Sequence, residues 1–296
     1  MAMAKPVRVV LLDFADETGM ASDRALGGTI DTGSLAAKGL YLVSQRMLKN
    51  AEFSIVDRRD YMDQMKKLQL DDGGKPTATK PSPLDAARAL NADVLLRGSL
   101  VSFSTGKEKI NQGGYQVDFS KVSLGVTLQA QDVVDGALIA MGMGNADQSF
   151  RQTAAQKTIL SENDILDLMG KALDKVVPQV TMDINQKMAE LQSRMKVTLA
   201  VTSTEDPSMV EIDGVLVGTT PISDLKVYQG DHVFHVSRPG YESITKRISL
   251  TRNTKIMVPM LRTDLTAQEK KQILTSADLR AYIMDGKPDL VIQTID

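Results

Sequence analysis

Apolar positions crowd together near the start of the chain. Val7, Val9, Val10, Leu11 and Leu12 form a nearly continuous run, rich in β-branched residues, that stops at Asp13. A continuous run, unlike an alternating one, fits a strand covered on both faces by helices. Asp16-Glu17-Thr18-Gly19 reads as a polar turn in which the glycine takes φ > 0. The small, glycine-containing stretch from Ser22 to Gly33 reads as loop. Ser34 then caps a helix to about Asn50, with Leu35, Ala36, Leu40, Val43, Met47 and Leu48 near the 3.6-residue period. Phe53-Ser54-Ile55-Val56 alternates as a strand, and a polar helix to about Leu70 turns Tyr61, Met62, Met65 and Leu68 inward. Asp71 to Ser82, with Gly73-Gly74 and two prolines, sustains neither regular state and reads as a mobile loop.

Ser82-Pro83 opens a short alanine-rich helix to Leu90, because a first-turn proline loses no useful N–H. Val94 to Val101 is a second well-buried strand, followed by a polar stretch from Thr105 to Gly114. Val122, Leu124, Val126 and Leu128 alternate, Asp135-Gly136 turns the chain, and Ala137 to Gly142 returns as an antiparallel hairpin. Asn163 to Met195 is one long helical pattern. Pro178 within it predicts a kink or a division into two helices.

From Lys196 the period becomes two. Val197–Val201, Val210–Ile212, Val233–Val236, Ile244–Leu250 and Ile256–Met260 read as short strands of a small all-β module. Thr266-Ala267-Gln268-Glu269 fits a capping box, so a short C-terminal helix is expected, then a tail with apolar Leu290-Val291-Ile292. The expected fold class is α+β or α/β: a helix-flanked mixed β-sheet domain over 5–195, a small sandwich-like β domain over 196–262, and a helix and tail over 263–296.

Composition narrows the chemistry. Lys+Arg 35 against Asp+Glu 37 leaves a net charge of −2, without the basic footprint of a nucleic-acid binder. Cysteine is absent, which removes disulfides, thiolate metal sites and cysteine nucleophiles together. His232 and His235 stand three apart on a strand and face opposite ways, so no shared metal is expected. Tryptophan is absent and aromatics are 4%, which disfavours stacking platforms. Gly142-x-Gly144 lacks the third glycine and the crossover helix of a dinucleotide loop. Met62, Met65, Met182, Met188 and Met195 are expected to fill core gaps. No apolar run approaches the ~18 residues of a membrane helix. Met1-Ala2-Met3-Ala4 reads as an added start, so a leader is expected to have stood before it.

Four pieces in order resemble the curli-secretion, or CsgG-like, family of bacterial envelope proteins. They are Val9-Val10-Leu11-Leu12-Asp13-Phe14 with Asp16-Glu17-Thr18-Gly19, Phe53 to Arg58, Leu95 to Leu100, and the Val126–Gly142 hairpin. The resemblance implies a periplasmic or outer-membrane lipoprotein, in a family where some members form rings. The chain lacks the lipoprotein cysteine. Thr105 to Ser120, with GKEKINQGGY, is too polar for the ~9–11-residue lipid-facing strands of the family's secretion channel.

Residues 196–262 resemble a PEGA domain. Asp213-Gly214, Gly218, Thr220-Pro221 and later Gly240-Tyr241 fit its D-G-x-x-x-G-x-T-P and G-Y signatures, while Glu205-Asp206-Pro207-Ser208 stands where the eponymous tetrapeptide would be. These motif residues read as structural: Asp-Gly supplies a φ > 0 hairpin turn, and Thr-Pro pins the next one. Catalytic, cofactor-binding and metal residues are expected to be none. The reading is a non-enzymatic envelope protein of the periplasm or outer membrane, acting through other envelope proteins or self-association. Two alternatives remain: a module gripping cell wall or surface polysaccharide, and an enzyme using the carboxylate corner of Asp13, Asp16 and Glu17.

Overall fold

The structure, a computed structural model, describes residues 5–19, 31–69, 81–112, 115–152, 161–266, 283–284, 287–288 and 290–295. The chain forms two compact units. One comprises Met1–Arg58, Ala92–Asp132 and Ala137–Ala189; the other comprises Arg59–Asn91, Val133–Gly136 and Glu190–Asp296.

The first unit is a mixed sheet under helices. Strands β1 (Val7–Leu11), β2 (Ala15–Asp16), β3 (Phe53–Ile55), β4 (Val94–Gln112), β5 (Tyr115–Asp132) and β6 (Leu138–Gln152) form a sheet in the order β3-β1-β4-β5-β6, with β2 paired to β4. β1 runs parallel to both β3 and β4, whereas β4, β5 and β6 are antiparallel. The opening apolar run is therefore an interior strand of the sheet, and Val7, Val9, Val10 and Leu11, which project to both of its faces, are buried. The polar turn expected at Asp16 is partly strand, since Ala15 and Asp16 pair with Ser99 and Leu100; Gly19 takes φ 67.

Helix α1 (Thr32–Met47) differs at its start from expectation. Asp31, not Ser34, is the N-cap, accepting from the Gly33 amide, so Gly33 belongs to the helix and not to the loop. Its buried stripe is Thr32, Leu35, Ala36, Gly39, Val43 and Met47, and Leu48 turns outward at the C-cap. Helix α4 (Glu162–Gln192) runs through Pro178 as one helix and not two. It packs on β6: a Cβ on Gly142 would lie 2.8 Å from Val176, and one on Gly144 would strike the Ala172 carbonyl. The even positions Ala140, Gly142, Gly144 and Ala146 are accordingly buried, and small residues there let helix and strand approach. Gly142-x-Gly144 is thus a packing device. The polar stretch from Thr105 is strand, for β4 and β5 keep regular pairing out to Gln112 and Tyr115.

The second unit contains α3 (Pro83–Ala89), most of α2 (Arg58–Leu68), and a two-sheet β sandwich. α3 starts as expected, with Ser82 and Asp85 forming a capping box and Pro83 in the first turn. α2 buries only Tyr61; Met62 is exposed. The sandwich is built from β7 (Lys196–Ser203), β8 (Met209–Ile212), β9 (Val215–Thr219), β10 (Ile222–Tyr228), β11 (Gly230–Ser237), β12 (Ile244–Leu250) and β13 (Thr254–Val258). After a two-strand pair, β14 (Ile283–Met284) and β15 (Lys287–Pro288), the strand β16 (Val291–Thr294) joins it. The sheets β10-β7-β13-β16 and β12-β11-β8-β9 share one core including Leu199, Val201, Ile212, Phe234, Val236 and Ile256.

The expected loop at 71–82 and C-terminal helix lie mostly outside the described residues. The methionine reading is corrected at three positions: Met62, Met182 and Met195 are exposed, whereas Met188 is buried. Met62 and Met182 lie on solvent-facing sides of helices and Met195 in the connection between α4 and β7, where apolarity alone does not decide burial.

Candidate functional site

The motif residues of the sandwich fall into three clusters. The first is the β8–β9 turn. Asp213 and Gly214 have φ 53 and 79, so this Asp-Gly pair closes the tight hairpin in left-handed conformation. The aspartate is also a hub. Its Oδ1 accepts from the Val233 amide at 2.8 Å, and its Oδ2 meets His232 Nδ1 at 2.7 Å. The other ring nitrogen, Nε2, lies 2.8 Å from the Tyr228 carbonyl oxygen, and the imidazole is buried. Both ring nitrogens therefore face oxygen atoms, one of a carboxylate and one of a backbone carbonyl. An Asp–His pair suggests base chemistry, but here the second nitrogen is spent on backbone, and the pair serves to lock β11 to the turn. His235 meets Thr245 Oγ1 at 2.7 Å on the exposed face.

The second cluster surrounds Thr220-Pro221. Thr220 is buried; its Oγ1 accepts from the Ser208 amide at 2.9 Å and lies 3.2 Å from Ser203 Oγ. Ser203 Oγ donates to Asp206 Oδ1 at 2.8 Å, and Ser208 Oγ donates to the Glu205 carbonyl at 2.7 Å. Arg238 donates to the Glu205 and Pro207 carbonyls. The Glu205–Ser208 segment is therefore tied to the Thr-Pro motif by hydroxyls. Gly218, at φ 148, lies in β9 just before this motif, and a Cβ there would lie 3.4 Å from Ile222. The peptide bonds before Pro207 and Pro221 are cis.

The third cluster is Gly240-Tyr241. Gly240 has φ 83, and its carbonyl accepts from the Thr263 amide; Tyr241 packs on the sandwich core with the Arg238 guanidinium 5.1 Å from its ring centre. The structure brings Asp213 together with His232, and Thr220 with Ser203 and Ser208. It does not gather the seven motif residues into one site.

One polar centre escaped the sequence reading. Arg88 of α3 donates to the carbonyls of Val133 at 2.9 Å, Val134 at 3.3 Å and Val217 at 3.1 Å, and pairs with Asp85 at 2.9 Å. Only its spacing of three from Asp85 in an alanine-rich helix signals it in the sequence. Burial raises the Asp85 carboxyl above the ordinary aspartate value, with Arg88 and the Ser82 amide pulling the other way.

In the first unit the carboxylate corner is already engaged. Asp13 pairs with Arg58, and Asp16 Oδ1 accepts from the Thr18 amide and hydroxyl. Burial alone raises Asp16, but hydrogen bonds from Thr32 and Thr18 outweigh it and hold the carboxyl below its ordinary value. A polar cavity of about 420 Å³ lies between α1, α4 and β6, lined by Arg46, Gln148, Asp164, Asp167, Lys171 and Asp174. Its cations are committed: Arg46 to Asp174 and the Gly170 carbonyl, Lys171 to Gln148. Among the described residues, no three His, Asp or Glu side chains converge in a way that suits a metal ion.

Comparison with known proteins supports the sandwich directly: residues 196–262 match the PEGA domain. No curated protein matches the chain. Solved structures similar to it include the hypothetical protein CT253 from Chlamydia trachomatis, at 15% identity, covering 61% of this chain and 96% of that one, with a TM-score of 0.37. The LpoB C-terminal domain from Escherichia coli is 14% identical, covering 50% and 87%, with a TM-score of 0.32. Lipoprotein GNA1162 from Neisseria meningitidis is 11% identical, covering 62% and 99%, with a TM-score of 0.32. No helix among the described residues is long and apolar enough to cross a membrane.

Proposed function

We propose that this chain is a non-enzymatic protein of the bacterial cell envelope, periplasmic or associated with the outer membrane. Its role is that of an assembly or secretion accessory, exerted through contacts with other envelope proteins or through self-association. The observation that carries this reading is the PEGA match over residues 196–262, a module associated with bacterial surface and envelope proteins. It is joined in one chain to a helix-covered mixed sheet whose sequence pieces resemble the CsgG-like family. The groups best suited to chemistry in these units have structural duties: His232 binds a carboxylate and a carbonyl, Asp13 holds Arg58, and Asp16 holds Thr18. What the fold offers instead is sheet and loop surface.

Fractionation of cells producing the native gene product tests the location. The protein is expected in the periplasmic or outer-membrane fraction, and recovery entirely in the cytosol would end the envelope assignment.

A further inference from the structure

Within the first unit, α1 and α4 leave a second groove besides the polar cavity. Its volume is about 300 Å³, and it is lined by Arg46 and Lys49 at the end of α1 and by Asp174, Val177, Pro178 and Thr181 of α4. Most of its polar groups are already engaged. Arg46, 16% exposed, donates to the Leu42 and Gly170 carbonyls and to Asp174, so its charge is balanced within the fold. The Thr181 hydroxyl donates to the Val177 and Pro178 carbonyls. Asn50, also at the rim, exchanges hydrogen bonds with Glu52.

Two groups remain open. Lys49 is exposed, and its ammonium has no carboxylate partner among the described residues. The Asp174 carbonyl is open for a different reason. A helix carbonyl points toward the amide four residues on, and here that residue is Pro178, which has no N–H to give. The rest of the wall is apolar. Val177 and Pro178 line it, and Met182, one turn beyond Pro178 on the same helix face, is 64% exposed.

A cation, a carbonyl and an apolar wall in one groove call for an anion, an N–H donor and an apolar side chain. The last residue of a peptide carries all three on neighbouring atoms. An internal peptide residue lacks the charge, and a fatty acid lacks the N–H. We propose that this groove binds the C-terminal residue of a partner polypeptide. Its carboxylate meets Lys49, its amide N–H meets the Asp174 carbonyl, and its apolar side chain lies against Val177 and Pro178. The site lies wholly in the first unit, so it stands independently of the PEGA match and of where the protein resides in the cell.

The test uses the full chain and the fluorescein-labelled peptide Gly-Ser-Gly-Ser-Leu, followed by fluorescence anisotropy. The free acid is expected to bind about tenfold more tightly than the C-terminal amide, as a charge-assisted contact requires. Lys49→Gln is expected to bind acid and amide alike. Methylating the leucine nitrogen is expected to weaken binding about fivefold to the native chain, the scale of one hydrogen bond. It should leave binding to Pro178→Ala unaffected, because the restored N–H then occupies the Asp174 carbonyl. Circular dichroism checks that both variants are folded. No anisotropy change at about millimolar peptide, equal binding of acid and amide to the native chain, or discrimination that survives Lys49→Gln overturns the proposal. So does a methylation effect that is the same with and without Pro178.

Discussion

Phe14 shows how much one side chain can demand of its neighbours. Its ring lies where a Cβ on Gly98 of β4 would collide with it and where one on Gly39 of α1 would lie 2.8 Å from Cγ. Neither glycine has a positive φ, so both are there for space and not for conformational freedom. Gly98→Ala is expected to destabilise the chain by about 1–3 kcal/mol through overpacking, measured by chemical denaturation. Arg88→Met should cost about 3 kcal/mol, because backbone carbonyls then lose a charged donor. The aspartates make a third prediction. In a carboxyl NMR titration Asp16 and Asp164, held by hydrogen bonds from neighbouring hydroxyls and amides, are expected to titrate below an unfolded-state aspartate, and Asp85 above it. The signs for stability are opposite. Asp16 contributes stability at pH above the unfolded value and loses it as pH falls through its own, whereas Asp85 makes folding less favourable as pH rises from the unfolded value through its own.

At the level of elements, periodicity revealed most strands and helices because it reports burial directly. β1, β3, the β5–β6 hairpin around Asp135-Gly136 and the Asp213-Gly214 turn follow from apolar spacing and turn chemistry. What escaped were choices decided by partners elsewhere in the chain. The polar residues after Thr105 are strand because each has a cross-strand neighbour on β5, which local pattern does not record. Asp31 and Ser34 are both competent caps by composition, and only the first turn of α1 decides between them. The candidate clusters were legible as motifs but not as contacts: nothing in the spacing of Asp213 and His232, or of Ser208 and Thr220, states that they meet. α4 supplies an element-scale prediction. Pro178 lacks the N–H that would bond to the Asp174 carbonyl, while the Thr181 hydroxyl donates to the Val177 and Pro178 carbonyls. Pro178→Ala is expected to raise stability by about 1–3 kcal/mol, read from thermal unfolding. An unchanged midpoint would mean that the helix backbone has already adapted to the proline.

For the molecule as a whole, linear order and spatial grouping differ. The chain passes between its two units at Arg58–Arg59, Asn91–Ala92, Asp132–Val133, Gly136–Ala137 and Ala189–Glu190. The residues that match the PEGA domain therefore share their unit with α3 and the Val133–Gly136 turn, where Leu84 and Val215 both lie against Gly136. A fragment of residues 190–296 is expected to melt at a lower temperature than the same residues within the full chain, since it lacks α3 and the turn it rests on. The Arg88–Val217 hydrogen bond joins residues 129 positions apart. At ~5–20 residues per second of synthesis, α3 leaves the ribosome roughly 6–25 s before the carbonyl that completes its guanidinium shell. During that interval an apolar helix face stands uncovered, so a nascent chain stalled before β9 is the form on which a chaperone would find its foothold.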